Sequence, residues 1–217
     1  MTTMIEVNQR FLFMSDVLTE LGNIPAERVR LHPSPGTATI ADFERLTKSD
    51  GLYELIDNTL VRKPMGSQEG LITPYLALLI HPYILKHHLG LFYGESALYQ
   101  FESGVILSPD LSFISWDCLP SRQRPVGSIL SIVPSLVIEV LSQSNTAAEM
   151  RRKRVIYFGA GVERVWEVDI ELRTLTAYHN ADEYVRYTRN DTVLGEPMLS
   201  GFILSLSELF TMYDIQG

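Results

Sequence analysis

Two acidic residues stand where carboxylates are expensive. Asp110 follows Pro109 and opens the run Leu111-Ser112-Phe113-Ile114, and Glu139 sits inside Leu136-Val137-Ile138-Glu139-Val140-Leu141. An apolar run of that length reads as a central strand covered on both faces. A carboxylate inside it must be paired or must bind a cation, because an isolated buried charge is costly. Carboxylates from two strands suit a hard divalent cation that takes oxygen ligands, Mg²⁺ first and Mn²⁺ as the alternative. The competing reading is a structural ion pair between Glu139 and a Lys or Arg, and the residue types leave both open. If the two acids share a site, like charge and burial together raise at least one pKa, and Glu139, the more enclosed, is the one expected to move.

Lys153 is the candidate basic partner. On a helix it shares a stripe with Met150 and Tyr157, three residues before it and four after, while Arg151 and Arg152 point away. An ammonium there could orient an attacking water or offset charge on a phosphorus centre. The ordinary reading of Arg151-Arg152-Lys153-Arg154 is a solvated basic helix face. Glu54, in the alternating run Tyr53-Glu54-Leu55-Ile56, reads first as an exposed strand residue and second as a third carboxylate of the site. Glu95 is a minor candidate acid. The start Gly94-Glu95-Ser96 lacks the closing glycine of a nucleophile elbow, and His81, His87 and His88 lack the i,i+4 spacing of a helical metal pair. No glycine-rich phosphate loop is present.

These side chains need elements to hold them. Residues 1–23 read as an amphipathic helix or helix pair, and 24–37, with three prolines and a glycine, as an extended linker. The chain therefore divides into a helical arm and linker over 1–38 and a domain over 39–217. Thr39 caps a short helix to Lys48, and Asp57-Asn58 turns a hairpin of strands 52–56 and 59–62. A helix over 70–88 carries Pro74 in its first turn, is kinked or broken at Pro82, and ends at Gly90. Strands follow at 91–101, 105–115 and 136–141. Thr146 and Glu149 form a capping box for a helix to Phe158, stopped by Gly159 and Gly161. Further strands are expected at 164–168, 172–178 and 183–188, with a closing strand or turn and a helix capped by Ser205 or Ser207. This mixed order argues for a mixed α+β fold, a mixed sheet flanked by helices with extra hairpins, not a doubly wound one.

The 217 residues carry 46% hydrophobic and 20% charged side chains, a globular balance that can fill a core without disulfides. Cys118 is the single cysteine, which fits a reducing, cytoplasmic compartment and argues against a thiolate zinc site. The start lacks the pattern of a signal peptide, and the apolar run near 75–80 is too short to span a membrane. The net charge of −8 opposes nonspecific coating of nucleic acid. A DNA-binding role would require the basic residues Arg122, Arg124, Arg151, Arg152 and Arg154 to gather on one face near the cleft. The apolar face of 1–23 is expected to seek a second copy, giving a symmetric homodimer.

Several runs resemble one family. Tyr53 to Val61 resembles a "YELIDGELV" opening, Pro109 to Ile114 a "PDVSFV" run, and Pro134 to Ser144 "PDLVVEVLSPS". Lys153 to Val162 resembles "KRREYFAAGV", Val165 to Asp169 "VWVVDP", and Gly201 to Phe210 "GFRLPLAELF". Together, over residues 39–212 and in order, they resemble the Uma2 (DUF820) family of the PD-(D/E)XK, restriction-endonuclease-like superfamily. The resemblance implies that fold and a Mg²⁺-dependent endonuclease site acting on DNA. Asp110 matches the first acid and Glu139 the second, and Glu54 matches an N-terminal Glu. The superfamily's Lys two residues after the second acid is replaced by Leu141, and Lys153 matches the family's substitute on the following helix. Asn58 for the turn glycine, Ser135 for an Asp and Gln143 for a Pro are departures that remove no implied ligand. The alternatives are a non-catalytic binding or assembly module on the same fold, and a hydrolase of another phosphoester.

Overall fold

The computed structural model describes residues 11–64, 66–119 and 122–215. In chain order its elements are α1 (Met14–Glu20), α2 (Ile40–Ser49), β1 (Tyr53–Ile56), β2 (Thr59–Arg62), α3 (Ser67–Lys86), β3 (Gly90–Gly94), β4 (Leu98–Glu102), β5 (Val105–Leu107), β6 (Leu111–Ser115), β7 (Ile129–Leu130), β8 (Leu136–Leu141), α4 (Ala147–Ala160), β9 (Arg164–Asp169), β10 (Thr174–Tyr178), β11 (Tyr184–Thr188), β12 (Thr192–Leu194), β13 (Ile203–Ser205) and α5 (Leu206–Asp214). The strands form a six-stranded sheet ordered β11-β10-β9-β8-β6-β3, a five-stranded sheet ordered β2-β1-β5-β4-β7, and the pair β12-β13. The fold is mixed α+β, as the element order implies.

Local chemistry sets many boundaries. Asp57 and Asn58 both adopt positive φ (48° and 57°), the backbone a two-residue turn between β1 and β2 requires, and Asn fills the glycine place without strain. Thr39 with Asp42 and Thr146 with Glu149 form capping boxes on α2 and α4. Gly161, left-handed at φ 105°, closes α4. Strands β8 and β9 run parallel, and α4 is the crossover that such a pair needs.

Alternation along the strands divides the interior in two. In β8, Leu136, Ile138 and Val140 join Leu111 and Phe113 of β6 in a core under α3 and α5. Val137 and Val165 face the other way, into a core shared with Ile56, Val61, Val105 and Leu107 of the five-stranded sheet, Tyr157 of α4, and Val17, Leu21 and Ile24 of the N-terminal segment. The six-stranded sheet is thus covered on both faces. α2 closes the outer side of the five-stranded sheet through Phe43.

Three expectations are corrected. The apolar stretches 91–101 and 105–115 each split in two: β3 and β6 belong to the large sheet, β4 and β5 to the smaller one. Gly94-Glu95-Ser96 and Ser108-Pro109-Asp110 are where the chain steps between sheets. α3 begins at Ser67, runs as one helix through Pro74 and Pro82, and ends with His87 as C-cap, not at Gly90. Each interior proline costs about 3 kcal/mol, but Ile72, Leu76, Ile80 and Ile84 are fully buried and contribute roughly 1.5–3 kcal/mol apiece. Both prolines lie on the exposed side, where water can satisfy the freed carbonyls. The short strands β7 and β12 carry too few residues to show a period. Residues 1–10 of the expected N-terminal helix lie outside the described residues; within 11–23, Val17 and Leu21 are buried on the domain while Leu12 and Phe13 are exposed.

No helix among the described residues is long and apolar enough to cross a membrane.

Candidate functional site

The face of β8 that carries Val137 also carries Glu139, because side chains two apart share a face. Glu54 shares a face of β1 with Ile56, and that face looks into the same inner core. Asp110 ends the step from β5 to β6. α4 lies over this region and presents Lys153 and Tyr157. Four distant segments therefore converge at one end of the inner core.

Their geometry is specific. Lys153 Nζ donates to Glu54 Oε1 at 2.9 Å and to Glu139 Oε1 at 3.2 Å. The Tyr157 hydroxyl donates to the same Glu139 oxygen at 2.5 Å. Glu54 Oε1 also accepts the Ser108 N–H at 3.2 Å, which ties the site to the step that carries Asp110. Asp110 Oδ2 accepts the Val140 N–H at 2.6 Å, so Asp110 is pinned beside Glu139 along β8. Its other oxygen lies 2.7 Å from Lys63 Nζ, which also donates to the Ser108 carbonyl at 2.6 Å. All five charged groups are buried, from 0% exposed for Glu54 to 8% for Asp110. The solvated-helix reading of Lys153 and the exposed-strand reading of Glu54 are thereby overturned.

Three carboxylates against two ammonium groups leave one negative charge in the cluster. Glu139 is pushed up to about 7, first by burial and then by Asp110 and Glu54, with Lys153 and Lys63 opposing. Burial works against the charge on Lys153, but Glu139, Glu54 and Glu149 outweigh it and its pKa is raised. Lys153 stays a cation under any ordinary condition. Burial, together with Glu139 and Glu54, also raises Tyr157 well above its usual value, so its hydroxyl remains a donor.

The site opens to solvent through a cavity of about 420 Å³ walled by Lys63, Asp110, Glu139 and Lys153, with α3 along one side. Glu95 lies at the rim and is exposed, and its contact with Ser108 is through its backbone carbonyl. Among the described residues no three His, Cys, Asp or Glu side chains form a ready metal cage. The donor set suits a cation that keeps much of its water: two carboxylates at an open wall, in a cluster with one uncompensated negative charge. Glu54 Oε2, buried without a hydrogen-bond partner among the described residues, marks the same deficit of positive charge. The residues fit a bound Mg²⁺ or Mn²⁺ at Asp110 and Glu139.

α4 is held from outside the domain's own strands. Arg28 grips Glu149 with two nitrogens, at 2.6 and 3.0 Å, and Thr146 Oγ1 donates to the Gly22 carbonyl. Burial would raise the Glu149 pKa, but Arg28 and Lys153 more than offset it and the pKa is lowered. The N-terminal segment thus clamps the helix one turn before Lys153.

Reasoning on the sequence missed Lys63 and the hydroxyl of Tyr157. The expected basic face does not form at this cavity. Arg151 pairs with Asp182, Arg152 with Asp57, and Arg154 with Glu167, where Arg154 also lies 4.0 Å over the Tyr178 ring. Arg124 lines a different cavity, together with His81 and His88.

The Uma2 family model, described as "Putative restriction endonuclease", matches residues 40–207. Among solved structures, the chain is similar to one described as that of "a putative nuclease belonging to DUF820" from Anabaena variabilis. The two are 21% identical, with a TM-score of 0.70, over 81% of this chain and 98% of that chain. At that identity the likeness is one of fold. No curated protein matches the chain.

Proposed function

The chain belongs to the Uma2 family, and on that footing we propose that it is a Mg²⁺-dependent endonuclease that hydrolyses phosphodiester bonds in DNA. The observation that supports this most is the buried Lys153 ammonium, bound at once by Glu54 and Glu139, at a cavity wall shared with Asp110. Asp110 and Glu139 would hold the cation. When bound, a divalent cation neutralises charge at the phosphoryl oxygens and acidifies water.

The chain's own groups have separable tasks. Lys153, fixed on two carboxylates, stays charged and would donate a hydrogen bond that stabilises a phosphoryl oxygen or orients an attacking water. Glu54 anchors that ammonium from behind. Tyr157 fixes the orientation of Glu139, and Val140 that of Asp110, so neither carboxylate must reorganise when charge develops. Lys63 balances Asp110 and adds a second cation to the wall.

The test is cleavage of supercoiled plasmid with Mg²⁺ or Mn²⁺, comparing wild type with Asp110→Ala. Metal-dependent nicking lost in Asp110→Ala supports the reading. Absence of nicking in wild type with either metal overturns it. The pairing of Arg151, Arg152 and Arg154 with acids leaves few cations for a long phosphate backbone, which favours a second reading, a hydrolase of a smaller phosphoester. Turnover of bis(p-nitrophenyl) phosphate without plasmid nicking would select it.

A further inference from the structure

We infer that the seam between α3 and β3 carries a second binding site, which takes unpaired nucleobases of the nucleic-acid strand whose backbone enters the Asp110–Glu139 cavity. This rests on the phosphodiester reading above and extends it to how the substrate is gripped.

Two cavities lie along the same pair of elements. Gly70, Thr73, Pro74 and Ala77 of α3 line the Asp110–Glu139 cavity, and His81, Ile84, Leu85 and His88 line a second cavity of about 450 Å³. The spacing of three to four residues places both sets on one face. The opposite wall follows β3: Gly94 borders the first cavity and Gly90 to Tyr93 the second. Between them His81 stacks on Phe92, with ring centroids 5.5 Å apart and planes 26° from parallel. The other strand of the wall, β6, starts after Asp110 at one cavity and ends before Trp116 at the other. From Thr73 to Ile84 the helix rises about 16 Å, the span of about five stacked nucleotides of one strand.

The chemistry of the second cavity differs from the first. Phe92, Tyr93 and Trp116 are all half-buried: Phe92 packs on the core under α3, and Tyr93 and Trp116 pack on the other side of the strand, so the cavity wraps around the edge of β3. Arg124 and two imidazoles supply donors, and among the described residues no carboxylate lines the cavity. Arg124 has no carboxylate partner among the described residues, unlike the three arginines of α4. Aromatic faces beside a free guanidinium, with acids excluded, fit bases that have left a duplex. β3 is also an edge strand of the six-stranded sheet, so among the described residues no further strand pairs along its outer edge.

Trp116 offers a direct readout, because the only other tryptophan, Trp166, is 1% exposed. The protein is titrated in EDTA with a short oligothymidylate and with a blunt duplex of equal length, following tryptophan emission. The inference expects saturable quenching by the single strand in wild type, and at least about tenfold weaker binding of the duplex. Arg124→Glu and His88→Asp, both at exposed positions, should each weaken the single strand by about tenfold. Asp is tolerated at the positive φ of position 88. Absence of saturable quenching, equal binding of blunt duplex, or indifference to both substitutions would overturn the inference. So would a dimer by light scattering in which Trp116 is shielded. Quenching without plasmid nicking would refute the endonuclease reading alone, and nicking without quenching would refute this one alone.

Discussion

Lys153 on α4 and Glu54 on β1, 99 residues apart in the chain, meet at 2.9 Å in a place where Glu54 is fully buried and Lys153 only 3% exposed. The pair sets the energetics of the site, because Lys153 is the cation that balances Glu54 and is itself shared with Glu139. Removing one partner of a buried pair strands the other.

Lys153→Met should therefore destabilise the protein by about 3–5 kcal/mol. Urea unfolding at neutral pH measures it. A loss below about 1 kcal/mol would mean that Glu54 and Glu139 find other partners or take up protons. Glu54→Gln should cost less, since Lys153 keeps Glu139.

Glu139 governs pH dependence. Its folded pKa, near 7, stands above the ordinary 4.5. Its contribution to stability is present in full below 4.5 and is lost as pH rises through 7, because the unfolded chain releases the proton first. Relative to Glu139→Gln, the metal-free wild type should lose about 1–3 kcal/mol across that window. Cation binding has the opposite slope, since only the ionised carboxylate is a ligand. Mn²⁺ affinity by calorimetry should be about tenfold higher near pH 8 than near pH 6; equal affinities would remove Glu139 from the ligand set.

Lys63 competes with a cation for Asp110. Lys63→Met should unfold at lower temperature than wild type without metal, because Asp110 is left buried and unpaired. Added Mn²⁺ should then raise its midpoint more than it raises that of wild type, as binding to the folded state alone stabilises by mass action. Equal shifts in the two proteins would show that Lys63 and the cation do not share Asp110.

With Arg151, Arg152 and Arg154 already paired, few phosphates can be neutralised. The logarithm of affinity for single-stranded DNA should fall with the logarithm of salt at a slope of about −3 or shallower. Fluorescence anisotropy over a salt series gives the slope. A steep value, near −7 or beyond, would reveal a basic surface outside the two cavities.

Much of this site is legible in the sequence. Glu139 betrays itself by standing inside a buried apolar strand, and Asp110 by opening another after a proline. The capping box at Thr146 and Glu149 locates α4 closely enough to put Lys153 and Tyr157 on one stripe. Lys63 escapes notice because Arg62-Lys63-Pro64 reads as an exposed strand end. A signal does exist: Thr59 and Val61 share one face of β2, Lys63 continues that alternation one residue past its end, and Val61 is fully buried. The steps at Gly94-Glu95-Ser96 and Ser108-Pro109-Asp110 are harder to see. Apolar runs flank both, and periodicity cannot tell two strands of different sheets from one long strand. Both steps border the site, since a chain that changes sheets opens a gap there. The arginines of α4 mislead for another reason: a helical wheel shows direction, while the acids that meet them come from β9 and from turns remote in sequence.

The clamp of Arg28 on Glu149 spans 121 residues, and the contact of Lys63 with Ser108 spans 45. Such contacts come late in folding, because long loops must close before they return any energy. A nascent or partly unfolded chain holds the acids and the lysine far apart. Hydrolytic competence, on the reading proposed here, then appears only with the completed tertiary structure. Cation titration of a denaturant series should track the global unfolding curve, with no binding left in any partly folded species. A nuclease built this way is harmless until it is finished, and loses its chemistry in the same cooperative step in which it loses its shape.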